Sequence, residues 1–489
     1  MKVNNKNNNT NFFELLVSAG PDPIGIDVIL SADNSGVRSL LDLGNITNTV
    51  LAGSLINRLA LSKICHAGLR LQNSKPDIIL KLGLKESGFK PAFVVLSNTA
   101  GLARKDVDAA KQVSDTVIAE IFSDEDATYI EDTGVDGIII RGNEAGGFCG
   151  TETNSILLEK IKKLTSLPIW VQGGIGPESA LACYLGGADG VIITDSLLLA
   201  KESIHRLQPK DVISVKGAMR TVAIGPSKGP MIRLSTSYGE LVKKIEHVCA
   251  GIESQDIDES EKQRQWVKSC LKIIDEYRGN PGCFIGEESY WAKDFASENT
   301  TVSRIISSIT KKINEGKENL KVSYPFEAQN SFARGLNIKF PVLQGPMANV
   351  SDNPAFLKSV AESGALPFAA LSVASGEVLR GFFKKTHMKF NQAKSGKQPW
   401  GVGLLGFIPK KLWDEQLQLI KEFSPSFAVV AGGRPSHYKI LSDLGITPFL
   451  HIPSPSMIKG YFKDGVRHFI FEGRGSGGHV GPINSFPLW

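Results

Sequence analysis

Short apolar runs alternate with helix-length segments along the chain from Phe12 onward. The first eight runs lie at 13–18, 37–43, 68–72, 92–97, 116–122, 136–142, 168–174 and 189–195. Such alternation is typical of parallel strands joined by crossover helices. Eight β/α units in residues 12–205 predict a closed (β/α)8 barrel, because closure leaves no strand edge unpaired. A doubly wound open sheet is the alternative interpretation.

The alternation is interrupted over residues 206–330, where the pattern predicts a helical connector. Helical stretches around 239–250 and 257–277 precede a Gly/Pro turn, "RGNPGC", at 278–283. A last helix is predicted over about 301–316. Its apolar residues share one stripe at helical spacing: Val302, Ile305, Ile306, Ile309 and Ile313. We expect this stripe to pack against a barrel.

The alternation resumes at Phe340 with six further runs. These runs lie at 340–345, 367–373, 400–406, 427–433, 448–452 and 467–473. Six strands leave a barrel two short, so its edges would face water. We therefore expect residues 331–489 to be the first six units of a second barrel, and the chain to be the front portion of a longer polypeptide. The expected fold class is α/β with tandem TIM (β/α)8 barrels, the second truncated after its sixth strand. The Asn-rich residues 1–11 are expected to be a disordered lead-in.

One glycine-rich pattern occurs in both barrel regions. "GNEAGGFCG" at 142–150 and "GRGSGGHVG" at 473–481 each follow the sixth apolar run of their region, and they start 331 residues apart. The fourth runs, at Phe93 and Phe427, are offset by 334 residues. This register indicates a duplicated barrel. Identity is low outside the glycine pattern, so the two copies need not share an activity.

Composition narrows the choice of partners and compartment. A net charge of +5, from 55 Lys and Arg against 50 Asp and Glu, includes no basic block, so neither nucleic acid nor an anionic membrane surface is implied. The six cysteines form no CxxC pair, and no stretch approaches the roughly 18 apolar residues of a membrane helix. The first residues contain no apolar signal core. A reducing cytoplasm is therefore the expected location.

The second barrel region carries the candidate chemistry. "QGPM" at 344–347 ends its first strand, where Gly345 would let the backbone approach a flat ligand and Pro346 would fix the turn. His479 stands in the loop after the sixth strand, among glycines that leave room for a planar ring. A histidine at this end of a barrel can act as a general base or acid near neutral pH. The alternative is that His479 only caps a glycine-rich loop.

These motifs resemble the nitronate monooxygenase family, also called 2-nitropropane dioxygenase-like. The resemblance is carried by "FPVLQGPM" (340–347), "GLLG" (403–406) and "FEGRGSGGHVGP" (471–482). The family comprises FMN enzymes on a TIM barrel. It is related to flavin enoyl-acyl carrier protein reductases of polyketide and polyunsaturated fatty acid synthases. The resemblance covers both barrel regions and is more specific in the second.

The resemblance implies roles for individual residues of the second barrel. His479 would be the catalytic base. The cofactor-binding residues would be Gln344, Gly345, Pro346, Met347, Gly403, Gly477 and Gly478. Gly403 stands where family members often carry an asparagine, which removes one polar contact to the ring or substrate. Glu472 is expected to orient Arg474 or the substrate, or else to form a surface ion pair.

The first barrel departs further from the family pattern at two positions. "SAGPD" at 18–22 replaces "QGPM", and Phe148, which takes the place of the histidine, cannot carry a proton. The neighbouring Cys149 is interpreted as a small buried apolar residue, because no histidine is placed to activate it. The first barrel is therefore expected to be a degenerate copy.

A phosphate site in the first barrel is left open. "QGGIG" at 172–176 resembles phosphate-binding glycines, which makes Gly173 and Gly174 candidate cofactor-binding residues. Thr194 and Asp195 stand where the family's last strand ends in Gly-Thr, and a carboxylate there would repel a phosphate.

The leading functional hypothesis is an FMN-dependent oxidoreductase of the nitronate monooxygenase type, in which His479 abstracts a proton. The first alternative is a flavin-dependent enoyl-acyl carrier protein reductase module of a polyketide or fatty acid synthase, with NAD(P)H as reductant. The second is a pair of non-catalytic scaffold barrels in a megasynthase. The expected partners are a small-molecule or carrier-bound acyl substrate and further domains of the same polypeptide, with neither a metal nor a nucleic acid.

Overall fold

The computed structural model describes residues 13–44, 49–72, 84–97, 102–216, 220–277, 279–296, 300–322, 325–391, 398–478, 481 and 483–488. The chain divides into two compact units, residues 1–316 and 317–488. The predicted lead-in, residues 1–11, lies outside the described residues. No described helix is both long enough and apolar enough to cross a membrane.

The first unit contains a closed barrel of eight parallel strands, as the apolar runs predicted. Its strands in chain order are β1 (Glu14–Ala19), β2 (Ser39–Asp42), β3 (Ala67–Leu71), β4 (Val94–Leu96), β5 (Val117–Ile121), β6 (Gly137–Arg141), β7 (Gly147–Cys149), β8 (Ile169–Gln172) and β9 (Gly190–Ile193). All except β7 belong to the barrel, and the pairing of β1 with β9 closes it. The doubly wound alternative is thereby excluded.

Helices connect the barrel strands. They are α1 (Pro23–Asp33), α2 (Thr49–Leu61), α3 (Leu84–Ser87), α4 (Arg104–Lys111), α5 (Asp124–Ile130), α6 (Asn154–Ile161) and α7 (Pro177–Leu185). The start of α1 is set locally, because Asp22 accepts a hydrogen bond from the Gly25 N–H at 2.8 Å and Pro23 occupies the first helical position. This places the "SAGPD" segment at the carboxyl end of β1.

The amino-terminal half of the barrel interior is apolar. Its buried residues are Leu16, Leu40, Phe93, Val95, Ile118, Ile139, Trp170 and Ile192. Trp170 fits because two neighbouring strands carry glycine: a methyl group at Gly137 or Gly190 would lie 2.6 or 2.5 Å from its ring. A layer of polar side chains lies at the opposite, carboxyl end of the strands, where barrel enzymes place their sites.

The remainder of the first unit follows the last barrel strand in the chain and contains strands as well as helices. It is called the insertion below. Its elements are α8 (Pro209–Lys216), β10 (Thr221–Ile224), β11 (Met231–Ser235), α9 (Gly239–Glu253), α10 (Glu259–Glu276), α11 (Ser289–Ala296) and α12 (Val302–Val322). The sequence did not predict the hairpin β10–β11, which forms an antiparallel sheet with β7. This sheet and the helices α9 and α10 enclose a separate apolar core around Trp266 and Ile245. The predicted stripe on α12 is buried at all five positions.

The second unit is a curled sheet of six parallel strands, which confirms the predicted half-barrel. Its strands are β12 (Leu343–Gln344), β13 (Leu366–Ala370), β14 (Gly401–Leu405), β15 (Phe427–Ala431), β16 (Thr447–Ile452) and β17 (Phe469–Phe471). Its helices are α13 (Ser331–Gly335), α14 (Pro354–Glu362), α15 (Gly376–Asn391), α16 (Lys410–Phe423), α17 (Pro435–Asp443), α18 (Ile458–Lys463) and α19 (Ser485–Leu488). Each strand pairs in register with the next in the chain, so their carboxyl ends share one edge.

Two apolar clusters hold the second sheet. One lies inside the curl and includes Phe368, Phe427 and Phe449. The other lies between the sheet and its helices and includes Phe383 and Trp400. The four inner strands, β13 to β16, are largely buried, and they consist of nearly continuous apolar runs, as strands covered on both faces do.

Candidate functional site

A layer of polar side chains closes the interior of the first barrel at the carboxyl ends of its strands. The residues are Asp42, Arg70, Glu120, Arg141 and Gln172, each the last or next-to-last residue of its strand. Arg70 donates to Asp42 at 2.7 Å and to Gln172, and its guanidinium lies 3.1 Å from the Glu120 carboxylate. Arg141 approaches the same carboxylate at 3.3 Å. Glu120 therefore bridges two guanidinium groups.

The charges in this layer compensate one another. Burial alone would lower the pKa of Arg70, but the carboxylates of Glu120 and Asp42 raise it above its usual value. The Nε atoms of Arg70 and Arg141 are both buried, and each lacks an acceptor among the residues that the structure describes. The two arginines are thus held as cations, with one donor each left for another group.

A cavity of about 740 Å3 lies above the polar layer. The barrel contributes Arg70, Arg141, Gln172 and Ser18 to its lining, and the insertion contributes Ile274, Tyr277 and Phe284. Its walls are therefore a mixture of cationic, polar and aromatic groups. This volume falls within the range of small-molecule sites in proteins.

The first glycine frame, residues 142–150, is covered by the insertion. Its residues 147–149 form β7, and Phe148 packs against the apolar core of the insertion. Arg233 of β11 is fully buried and donates both to the backbone carbonyl and to the side chain of Asn143. Phe148 is therefore a structural residue here, and its ring lies against the insertion core.

Glu144 within this frame has an unusual environment. Its side chain is fully buried, and Oε2 accepts a hydrogen bond from the Asn154 N–H at 2.9 Å. Its other oxygen, Oε1, has no hydrogen-bond partner in the described part of the chain. Burial, together with the negative charge of Glu287, raises the pKa of Glu144 to about 8. Burial also raises the pKa of the Cys149 thiol, in the same glycine frame, to about 11. This thiol is therefore protonated and unreactive at neutral pH.

The candidate phosphate glycines of the first barrel lie against protein. A methyl group at Gly173 would lie 2.6 Å from the backbone of Ala145, and one at Gly176 would lie 2.1 Å from the Trp291 ring. Both Gly173 and Gly174 have positive φ, so the loop has the conformation that glycine permits. Their proposed contact with a cofactor remains a prediction.

In the second unit, the segment Gln344 to Met347 follows the carboxyl end of β12. Pro346 lies directly over Gly403 of β14, where a methyl group would be 2.2 Å from the Pro346 side chain. Gly403 therefore makes room for the proline ring, a role that the sequence did not reveal. Gly345 is exposed, with none of the described atoms within 4 Å of its missing side chain, and Met347 is also exposed. This edge of the sheet is open at the predicted residues.

The second glycine frame, residues 473–481, is open at Gly477 and Gly478. In the described part of the chain, neither glycine has an atom within 4 Å of the position of its missing side chain. The loop is anchored at its base, where Gly481 donates to the Glu472 carbonyl at 3.0 Å and Arg474 donates to the Ile483 carbonyl at 2.7 Å. His479 lies outside the described residues, so its role remains a prediction.

Sequence reasoning missed one polar pair in the second unit. His451, on β16, forms an ion-pair contact through Nδ1 with the carboxylate of Glu472, the residue after β17. Glu472 was expected to orient Arg474 or substrate, or to form a surface ion pair. Its carboxylate instead faces His451, and both side chains are largely buried. Burial raises the pKa of Glu472 above its ordinary value. The offset of 331 residues could have found the pair, because it aligns His451 with Glu120 and Glu472 with Arg141.

Comparison with known proteins agrees with the resemblance in the motifs. Residues 83–280 match the family model of nitronate monooxygenase. The matched region lies in the first barrel and the insertion, although the motifs of this family are more complete in the second unit.

One curated relative is 24% identical over 225 residues, which is 46% of this chain: (3aS,4S,5R,7aS)-5-hydroxy-7a-methyl-1-oxo-octahydro-1H-indene-4-carboxyl-CoA dehydrogenase of Rhodococcus jostii. The chain spans 62% of the length of that relative. FabK from Thermotoga maritima is a solved structure with 20% identity and a TM-score of 0.48, over 64% of this chain and 96% of its own. Nitroalkane oxidase from Streptomyces ansochromogenes has 16% identity and a TM-score of 0.45, over 64% of this chain and 99% of its own. The enoyl reductase domain of MlnA from Bacillus amyloliquefaciens has 14% identity and a TM-score of 0.45, over 63% of this chain and 95% of its own.

Proposed function

We propose that this chain is a flavin-dependent oxidoreductase of the nitronate monooxygenase type, with its reacting centre at the carboxyl edge of the second sheet. The observation that carries the proposal is the open glycine frame at that edge. Among the residues that the structure describes, no atom lies within 4 Å of the missing side chain of Gly477 or Gly478, and Gly478 has a left-handed φ of +81° immediately before His479 in the sequence. Open glycines beside a histidine supply both space for a planar ring and a group that transfers protons near neutral pH.

The residues at this edge fit an FMN ring. Gly345 on one side and Gly477 and Gly478 on the other leave space that any side chain would fill. Gln344, Pro346 and Met347 would hold the ring along β12, with Pro346 fixed by its contact with Gly403. When bound, FMN supplies the acceptor or donor of a hydride equivalent. His479 would hold or remove the substrate proton at a ring nitrogen.

His451 and Glu472 form a polar pair at the same edge of the second sheet. Both residues stand at the carboxyl ends of their strands, so they lie at the edge where reactive groups collect. A carboxylate beside an imidazole fixes the orientation of the ring and favours its protonated form. We assign the pair a positioning role.

An acyl thioester is the second candidate substrate class. The name of the curated relative describes a carboxyl-CoA dehydrogenase, which favours a thioester over a small nitronate. In that version the chain would be an enoyl reductase module that draws its electrons from NAD(P)H. A carrier-bound acyl group and a CoA ester share the same thioester chemistry.

The test uses the full chain with added FMN under anaerobic conditions. Loss of the oxidised flavin absorbance on adding an alkyl nitronate alone would support the monooxygenase type. Loss with NADPH, followed by reoxidation with a crotonyl thioester, would support the reductase. In either case His479→Ala should slow the step by about 100-fold or more, whereas His387→Ala, a change at a half-buried residue of α15, should leave it unchanged. A chain that binds no FMN, or an H479A variant as fast as the parent, would contradict the proposal.

A further inference from the structure

The carboxylate of Glu288 in the first unit is bound by the loop that follows the eighth barrel strand. Its Oε1 accepts hydrogen bonds from the Thr194 N–H at 2.6 Å, the Ser196 N–H at 3.2 Å and the Ser196 hydroxyl at 2.9 Å. Its Oε2 accepts from the Thr194 hydroxyl at 3.2 Å. The side chain is completely buried. Four donors from one short loop therefore converge on a carboxylate contributed from 92 to 94 residues away.

This loop has the position at which (β/α)8 barrels commonly hold a phosphate. Such sites are formed by the loops after the seventh and eighth strands and by the start of a short extra helix, whose backbone N–H groups face the anion. In this chain the eighth strand, β9, is followed by a single 3₁₀ turn over Asp195–Leu197. The two backbone donors that bind Glu288 belong to this turn and the residue before it.

The loop after the seventh strand is also engaged by protein. The Gly176 N–H donates to the Ser179 hydroxyl at 2.7 Å, and the Trp291 ring covers the Gly176 α-carbon. The segment that carries Glu288 is fixed in turn, because the Gly286 N–H donates to Asp195 at 2.7 Å. Backbone, hydroxyl and aromatic groups of the protein thus contact the loops after both the seventh and the eighth strand.

We propose that Glu288 occupies the phosphate position of the first barrel as a built-in carboxylate, so that this barrel takes neither FMN nor another phosphorylated ligand. A phosphate would compete with Glu288 for the same N–H groups and would approach the carboxylate of Asp195, where like charges in a buried site repel. The cavity of about 740 Å3 is therefore left for a ligand without a phosphate group. The inference concerns the first barrel and is independent of the flavin site proposed in the second unit.

The test removes the carboxylate and asks whether an added anion replaces it. The full chain carrying Glu288→Ala should unfold at a lower temperature than the wild type. Inorganic phosphate, compared with sodium chloride at the same ionic strength, should then raise the Tm of the first unit by about 3–5 °C at one hundred times its dissociation constant. The wild type should show no such rise. Leu197→Ala is the matched control, because it shortens a buried side chain of the same turn and leaves Glu288 in place.

Two results would overturn the proposal in this experiment. One is an E288A variant whose Tm does not respond to phosphate, and the other is a wild type or L197A that responds as strongly as E288A. Should E288A fail to fold, the wild-type chain is titrated with FMN and the stoichiometry is measured. Two FMN per chain, or one that Leu198→Trp in the first-barrel cavity abolishes, would also overturn it.

No FMN, or one FMN that the L198W variant retains, would support closure of the first barrel. The absence of FMN would contradict the function proposed for the second unit while leaving this inference standing. The two proposals can therefore fail separately.

Discussion

Residues 142–150 and 473–481 are two copies of one loop with different surroundings. Gly147 and Gly478 both have a left-handed φ, of +68° and +81°. At the equivalent positions before them, a methyl group on Gly146 would lie 2.5 Å from the Gly286 nitrogen, whereas none of the described residues has an atom within 4 Å of the missing side chain of Gly477. Both loops thus have a left-handed glycine at the same position. The insertion that covers the first copy, and leaves Phe148 packed in its core, accounts for the difference in accessibility.

The polar pairs beneath the two loops are reversed in charge. The first barrel has Glu120 near the end of the fifth strand and Arg141 at the end of the sixth, whereas the second unit has His451 and Glu472 at the positions 331 residues later. Arginine stays charged at all accessible pH values, while histidine titrates near neutrality. The first pair is therefore a permanent structural link, and the second is able to gain or lose a proton.

We expect the two polar pairs to differ most in stability when the carboxylate of each pair is removed. Glu120→Gln leaves the buried Arg141 guanidinium without its carboxylate, which should destabilise the first unit by about 3–5 kcal/mol. Glu472→Gln should cost the second unit about 1 kcal/mol or less, because His451 can become neutral. Hydrogen exchange of the strand amides in each unit, measured in both variants, gives the two free energies of opening. Equal losses would show that the pairs are equivalent despite their chemistry.

The glycine frames give the second prediction. Gly146→Ala forces a methyl group onto the Gly286 backbone and should cost about 2–3 kcal/mol. Gly477→Ala, its equivalent, meets open space and should stay within about 0.5 kcal/mol of the wild type. Thermal unfolding of the two variants measures the difference. A G477A variant as unstable as G146A would mean that the second frame is covered.

The architecture was largely predictable because the apolar runs of parallel strands are local signals. All fourteen predicted runs overlap observed barrel or half-barrel strands, and the stripe on α12 is buried. The hairpin β10–β11 was missed, since its strands are short and stand among long helical segments. Their pairing with β7 depends on tertiary contacts that propensity does not encode.

The sites were less predictable because they depend on groups distant in the chain. Gly345, Gly477 and Gly478 have no described atom within 4 Å of their missing side chains, and their predicted contact with a cofactor remains a prediction. The sequence did not reveal that Gly403 accommodates Pro346 or that Glu288 reaches the loop at Thr194. Only the three-dimensional register brings these residues together. Asp195 was expected to be unfavourable for a phosphate, which remains a prediction, and Glu288 accepts from two backbone N–H groups of the same loop.

The third prediction uses Glu144, whose equivalent in the second frame is Gly475. Burial raises the pKa of Glu144 to about 8, above the value of about 4.5 for an exposed glutamate. Between these values the folded state binds more protons than the unfolded chain, so the stability of the first unit falls as pH rises, by up to about 1.4 kcal/mol per pH unit. Glu288, also raised by burial and by Asp195, contributes with the same sign.

Glu144→Gln should therefore flatten this dependence between pH 5 and 8 without abolishing it. Unfolding temperatures of the wild type and E144Q across that range provide the measurement. The second unit, which has glycine at position 475, serves as the internal control. Parallel curves for the two proteins would mean that Glu144 ionises normally in the fold.

We expect the smallest effect when the histidine of the second glycine frame, His479, is introduced at the equivalent position of the first frame, Phe148. Phe148→His puts a polar ring against the apolar core of the insertion, where Phe148 now packs, and should cost about 1 kcal/mol. It should restore no flavin reduction in a chain that also carries His479→Ala, because Gly146 and its neighbours are covered by residues of the insertion. The anaerobic flavin assay compares the double variant with H479A alone. If the double variant reduced flavin as fast as the wild type, the first glycine frame would be accessible. The insertion could then not explain the difference between the two frames.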